Sequence, residues 1–253
     1  DRSVTFTGNR YEGISGEKLP YLIPFVSKVL DTDIKVEPYF KEIDQKHVTQ
    51  RNINQPFLND LESTFDSDQY SFSDSERILH SHGQNSPDEV FKVLYDKLEK
   101  FADLVFYIES EDDVIKLIDL AKKHNVCLVP FGGGTNVTNA LQLPNEEERM
   151  IVSVDTRRMN KIESIDEKNL LVTVQSGITG SDLEDQLHQQ GYTAGHEPDS
   201  IELSTVGGWI STNAAGMKKN RYGNIEDIVQ NVTMVTPNGT INQIEPLVRS
   251  SIG

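Results

Sequence analysis

The sequence predicts a mixed α+β chain: a partly helical N-terminal extension, residues 1–85, followed by a domain of strands and helices, residues 86–253. Three observations carry this reading. Short apolar runs of strand length alternate with stretches whose apolar residues recur at helical spacing. A run of three glycines, Gly132 to Gly134, directly follows one of the apolar runs. The texture of the chain also changes near residue 85, from polar and aromatic-spotted to sharply periodic.

The elements follow in order. Leu19 to Leu30 reads as a short helix interrupted by Pro20 and Pro24, and Asp66 to Ser75 as a loop. Ser86-Pro87-Asp88-Glu89 has the spacing of a capping box with proline at the first helical position. Val90, Leu94, Leu98 and Phe101 continue that helix to about Phe101. Leu104 to Ile108 is a strand. Ser110, with Asp113 three residues on, caps a helix striped by Val114, Leu117, Ile118 and Ala121. Val126 to Val129 is a second buried strand, and Pro130 to Asn136 is the loop at its C-terminal end, a common place for a ligand in crossover units. Met150 to Val154 and Leu170 to Val174 are further strands. Ser181 to Glu184 repeats the capping box before a helix to about Gln190. Val232 to Thr236, a Pro237-Asn238-Gly239 turn, and Thr240 to Ile244 form a hairpin.

Composition excludes several functions. The 253 residues carry 24 Lys+Arg against 40 Asp+Glu, a net charge of −16. Binding to phosphate backbones needs clustered cations, so this balance excludes nucleic acid as a partner. A single cysteine, Cys127, excludes an intramolecular disulfide framework and reads as a buried structural thiol. No stretch reaches the roughly 18 consecutive apolar residues of a membrane span. Asp1 without a methionine and the loop-like Arg249 to Gly253 suggest a piece of a longer protein.

Two stretches can carry chemistry. Pro130, Phe131, Gly132, Gly133, Gly134, Thr135 and Asn136 form a turn whose glycines let the backbone approach a ligand and whose successive N–H groups can make an anion nest. It lacks the Lys-Ser/Thr pair of a nucleoside-triphosphate loop and the spacing of the dinucleotide fingerprint. The second stretch runs from Gly195-His196-Glu197-Pro198 through Asp199 and Ser200 to Gly216, dense in small residues and hydroxyls that suit a flat ring system. His196 lies inside it. Lys218, Lys219 and Arg221 read as a solvated turn, and His80-Ser81-His82 as a solvated loop without metal partners.

Together the two stretches resemble the FAD-binding domain of the vanillyl-alcohol-oxidase (PCMH) type, built from two α/β subdomains. The resemblance covers roughly Phe101 to the end. Within that family Pro130 to Thr138, Gly195 to Ser200, Gly208-Trp209, Lys219 to Asp227 and Val248 to Ser251 are similar to the alkyldihydroxyacetonephosphate synthases of ether-lipid (plasmalogen) synthesis. The resemblance implies FAD with its pyrophosphate on Pro130 to Asn136. Asp199, Ser200, Ile201, Glu202, Leu203, Ser204, Thr205, Gly208, Thr212, Asn213, Ala214 and Ala215 would line the isoalloxazine and adenosine walls. Family members that bind flavin covalently through this loop carry a histidine where this chain has Gly134 or Thr135, so the cofactor is expected to be non-covalent.

The implied reaction joins acyl-dihydroxyacetone phosphate and a long-chain fatty alcohol into an alkyl product and a fatty acid without net redox change, with flavin as a nucleophile. Catalytic acid and base residues, expected beyond Gly253, are not assigned. The family further implies a peroxisomal homodimer with peripheral membrane association. Two alternatives are a flavin-dependent 2-hydroxy-acid (D-lactate or glycolate) dehydrogenase of the same fold and a non-catalytic flavin-binding module.

Overall fold

The structure, a computed structural model, describes residues 3–5, 16–34, 48–95 and 97–242. The chain divides into two compact units, Asp1–Asp44 and Gln45–Gly253. In the first, strands β1 (Val4–Thr5) and β2 (Lys18–Leu19) pair antiparallel, and helix α1 spans Leu22–Val29. Pro24 falls in the first turn of α1, where its missing N–H costs no hydrogen bond, so it does not interrupt the helix.

The second unit begins forty residues before the expected boundary near 85. Helix α2 (Gln55–Thr64) is capped by Asn54, whose side chain accepts from the Phe57 N–H, and it buries Phe57 and Leu61 completely. Strand β3 (Tyr70–Ser71) and the start of helix α3 (Asp74–Leu79) lie where the sequence reads as loop, Asp66 to Ser75. These elements are short, and their apolar residues are too few to set a period. Helix α4 (Pro87–Leu94) starts as expected but ends seven residues early, capped at Tyr95.

Strands β4 (Leu104–Tyr107), β5 (Cys127–Phe131) and β6 (Ile151–Asp155) join β3 in a four-stranded sheet of order β3-β4-β6-β5. β6 pairs parallel with both β4 and β5, in the register Leu104↔Val152 and Phe131↔Asp155. β6 is buried at every residue, whereas β5 is the sheet edge and only half-buried, which corrects the expectation of a buried strand there. The Cys127 thiol sits on this edge, and burial pushes its pKa up.

Helix α5 (Glu111–His124) connects β4 to β5 and packs Leu117 and Ala121 against the sheet. Ser110 caps it by accepting from the Asp113 N–H at 3.2 Å. Three acidic residues in its first turn, three basic ones in its last, and a left-handed Asn125 complete both ends. One apolar core lies between α2, α5 and this sheet face, with Leu104, Phe106, Val152 and Val154 at its centre.

A second core lies further along the chain. Strands β7 (Ile162–Asp166) and β8 (Leu171–Val174) pair antiparallel. Helix α6 (Gly180–His188) is capped by Thr179, whose hydroxyl accepts from the Asp182 N–H, so Ser181 is not the cap. Helices α7 (Val206–Thr212), α8 (Lys219–Tyr222) and α9 (Ile225–Ile228) follow. Ile178, Leu183, Leu187, Val206, Trp209 and Ile225 form the core that these elements share. Strands β9 (Thr233–Thr236) and β10 (Gly239–Asn242) make the expected hairpin around a two-residue Pro237-Asn238 loop. The Lys122 ammonium at the end of α5 donates to the Pro237 carbonyl. The stretch Val248 to Ser251, with Arg249, lies outside the described residues. No described helix is long and apolar enough to cross a membrane.

Candidate functional site

The glycine turn leaves β5 at Phe131, the residue paired with Asp155 at the end of β6. The Phe131 carbonyl accepts from both the N–H and the hydroxyl of Thr156, which fixes where the turn begins. Beneath it lies a buried polar cluster. His80, 1% exposed, donates from Nδ1 to the Glu76 carbonyl at 2.8 Å and meets the Asp155 carboxylate through Nε2 at 2.9 Å. Arg157 grips the same carboxylate, and the Phe131 ring lies 4.4 Å from the His80 ring. Burial pushes the Asp155 carboxyl up, but hydrogen bonds from His80 and Arg157 and the Arg157 charge outweigh it and hold the pKa below the usual value. His80 and His82 are therefore interior groups, not the solvated loop the sequence suggests. Their polar character hides that they face a carboxylate and a carbonyl rather than water.

The two stretches singled out in the sequence meet. Gly132 lies against the Thr205 side chain, and a Cβ on Gly133 would fall on the Leu203 carbonyl, 2.6 Å from its carbon. Gly134 has a φ of +68°, which glycine adopts without penalty. The partner strand of backbone is itself held in place. Leu203 and Ser204 donate their N–H groups to the Ser200 carbonyl, and Thr179 bridges to Thr205. Gly180 donates to the Ser204 carbonyl, and Val206 to that of Ile178.

Within this second stretch the residues do different things. Thr205 is 1% exposed and its hydroxyl caps α7 by accepting from the Gly208 N–H at 3.2 Å. Ser204 is buried and receives the Trp209 indole N–H at 2.8 Å. Ile201 and Leu203 are half-buried, while Asp199 and Glu202 are exposed. Thr212 donates to the Gly208 carbonyl, Asn213 closes α7 in a left-handed conformation, and Ala214 packs on the second core. Ala215 is exposed beside it.

His196 is 2% exposed, 4.8 Å from the Trp209 ring, and among the described residues neither ring nitrogen has a hydrogen-bond partner. Burial lowers its pKa below the usual histidine value. Lys218 pairs with Glu197, and the Arg221 guanidinium lies over the Tyr222 ring, so two of the three cations on this turn are already engaged.

A third segment, absent from the sequence expectations, backs the glycine turn. The Gln84 N–H donates to the Gly134 carbonyl at 2.8 Å, and the Asn85 amide donates to the Thr135 carbonyl at 2.9 Å. Glu89, 3% exposed, accepts the Gly83 N–H at 2.7 Å. The capping motif Ser86 to Glu89 was the available signal. Ser86 does accept from the Glu89 N–H, but the Glu89 carboxylate reaches past the cap to Gly83.

The geometry suits an anionic ligand with a flat body. Among the described residues the N–H groups of Thr135 and Asn136 have no acceptor in the protein. Buried or half-buried amide groups rarely stay unpaired, so these donors are available to an anion. The joint between Gly132–Gly134 and Leu203–Thr205 presents mostly backbone and small side chains, against which a ring system can lie.

Comparison with known proteins agrees with this geometry. A family described as "FAD binding domain" matches residues 102–245, more than half of the chain. An alkyldihydroxyacetonephosphate synthase of Caenorhabditis elegans is 42% identical over 257 aligned residues, covering 100% of this chain and 42% of that protein. The synthase of Dictyostelium discoideum is 36% identical, covering 90% of this chain and 38% of its own length. A solved alkyldihydroxyacetonephosphate synthase structure superposes with a TM-score of 0.84 at 37% identity, covering 92% of this chain and 44% of that one. The chain thus spans about two fifths of the length of the curated relatives it matches. It belongs to the FAD-binding domain family, with FAD as its cofactor and the mixed α and β architecture of that family.

Proposed function

We propose that this chain is the FAD-binding part of an alkyldihydroxyacetonephosphate synthase. The observation that carries the reading is the joint at Gly133 and Leu203, which brings both cofactor stretches into one site, in a chain similar along its whole length to the nematode synthase. The reaction would exchange the acyl chain of acyl-dihydroxyacetone phosphate for a long-chain fatty alcohol, without net redox change.

Residues of this chain would then act as follows. Pro130 to Asn136 would hold the FAD pyrophosphate through the N–H groups of Thr135 and Asn136. Asp199 to Thr205, Gly208 and Thr212 to Ala215 would form the walls around the rest of the dinucleotide. No histidine or cysteine stands within Pro130 to Asn136, which supports a non-covalent cofactor. The bound flavin supplies the nucleophilic centre. The protein's part on this chain is to bind it, orient it and exclude water from its buried face. A peroxisomal location, a homodimer and a peripheral contact with lipid belong to the same reading, through the likeness alone.

The test uses the full protein. It should form ether lipid from palmitoyl-dihydroxyacetone phosphate and hexadecanol while releasing palmitate. Rapid anaerobic bleaching of the flavin by D-lactate or glycolate, with no ether product, would replace this reading by a 2-hydroxy-acid dehydrogenase. Bound flavin with neither activity would leave a binding module.

A further inference from the structure

We propose that the segment Gly83–Asn85, anchored by Glu89, is a positioning strap that aims the peptide groups of the glycine turn at the cofactor's pyrophosphate. The inference rests on the FAD reading of the turn and adds residues outside the stretch 102–245 that the family match covers. A trans peptide is planar, with its C=O and N–H pointing in opposite directions. The Gly134 carbonyl is held by the Gln84 N–H at 2.8 Å, so the N–H of the same peptide, on Thr135, points away from the strap. The Thr135 carbonyl is held by the Asn85 side chain at 2.9 Å, so the N–H of Asn136 points away as well. Neither of these two donors has an acceptor among the described residues. The strap thus fixes two adjacent N–H groups on one side, the arrangement an anion nest requires.

Glu89 sets the height of the strap. Its Oε1 accepts the Gly83 N–H at 2.7 Å, and its carboxylate is buried. A Cβ on Gly83 would lie 2.7 Å from Glu89 Oε2 and 3.1 Å from the Asn136 amide, so only glycine lets the strap run between them. The turn is therefore clamped from both sides, by Leu203–Thr205 on one and by Gly83–Asn85 on the other. The first clamp sets its distance from the ring wall. The second sets which way its peptides face.

The experiment measures FAD affinity by flavin fluorescence quenching and the unfolding midpoint of the FAD-free protein, both in the full chain. Asn85 is exposed, so Asn85→Ala leaves the fold intact while freeing the Thr135 carbonyl. The loss of one orienting hydrogen bond should weaken FAD binding by about fivefold to tenfold with the FAD-free midpoint unchanged. Glu89→Ala should weaken binding at least as much, and Glu89→Gln, which keeps an acceptor for the Gly83 N–H, should restore it to within about twofold. FAD binding at the wild-type level in both Asn85→Ala and Glu89→Ala overturns the proposal. So does an affinity loss that only tracks a fall in the FAD-free midpoint. If Glu89→Ala does not fold, Asn85→Ala decides alone. A wild-type protein that binds no FAD would overturn the cofactor reading itself, which distinguishes the two failures.

Discussion

Gly133 and Leu203 are in backbone contact: a single Cβ on the glycine would occupy the Leu203 carbonyl group. The loop that follows β5 and the turn that precedes α7 are thus one structural joint, although seventy residues separate them. Gly133→Val tests it. The side chain has no room, so the turn must separate from Leu203–Thr205 and carry its N–H groups with it. Overpacking of this kind typically costs about 1–3 kcal/mol. The expected outcome is purified protein without the flavin band and with a lowered unfolding midpoint that added FAD no longer raises. A variant with wild-type flavin content would show that the contact does not hold the site together. The Leu203 contact predicts that this loss comes from a broken joint between the two stretches.

Arg77 is the second point where the fold depends on one residue. It is 2% exposed, on α3, and its guanidinium donates to the Ala102 and Thr49 carbonyls and pairs with Asp74 at 2.7 Å. Arg77→Met keeps the apolar stem and removes every donor. The buried Ala102 carbonyl then loses its partner, and the exposed Thr49 carbonyl turns to water, for about 1–3 kcal/mol in total. Urea unfolding should show the midpoint shifting with an unchanged slope. A shift below the measurement error would mean that water replaces the guanidinium.

This arginine also marks the limit of what the sequence makes legible. The glycine turn, the Gly195 to Gly216 stretch, α5 with its caps and the β9–β10 hairpin can all be read from composition and period. Each depends on local rules: a cap, an apolar stripe, a turn dipeptide. The role of residues 55–89 cannot be read that way. Arg77, His80 and Glu89 look like surface residues because they are polar, and each is buried because a carbonyl, a carboxylate or an N–H from a distant segment meets it. Such pairings are tertiary, and no period announces them. Phe57 and Leu61 were present as an apolar pair four residues apart, but one helical turn is too short to be distinguished from loop.

The Asp155 cluster predicts an acid-dependent loss of stability. Its folded pKa is lowered, so its contribution is fully present above the unfolded value near 3.8 and is lost as pH falls through the folded value. Asp155→Asn should therefore destabilise the protein at neutral pH, where it leaves Arg157 and His80 without their carboxylate. The difference in unfolding midpoint between the two proteins should narrow below about pH 4, where the wild-type carboxyl is protonated too. Thermal unfolding followed from pH 7 to pH 3 reads both. A constant difference across that range would mean that the carboxylate's charge contributes nothing and only its shape matters.

His196 gives the opposite kind of prediction, a residue that costs stability where it stands. Its ring is buried beside Trp209 with both nitrogens unpaired among the described residues, and burial lowers its pKa. A buried polar group without a partner costs about 1–3 kcal/mol, so His196→Phe, which keeps a ring against Trp209, should raise the unfolding midpoint of the FAD-free protein. The pH dependence has a definite sign. A histidine with a lowered folded pKa contributes fully above its unfolded value near 6.5, and that contribution falls as pH drops through the folded value. Wild type should therefore lose stability between pH 7 and pH 5 by more than His196→Phe does. Equal slopes for the two proteins would place the proton elsewhere. A lower midpoint for the phenylalanine variant at pH 7 would show that the ring nitrogens are paired in solution. A rise in stability accompanied by weaker FAD binding would mark His196 as a group kept for the ligand rather than for the fold.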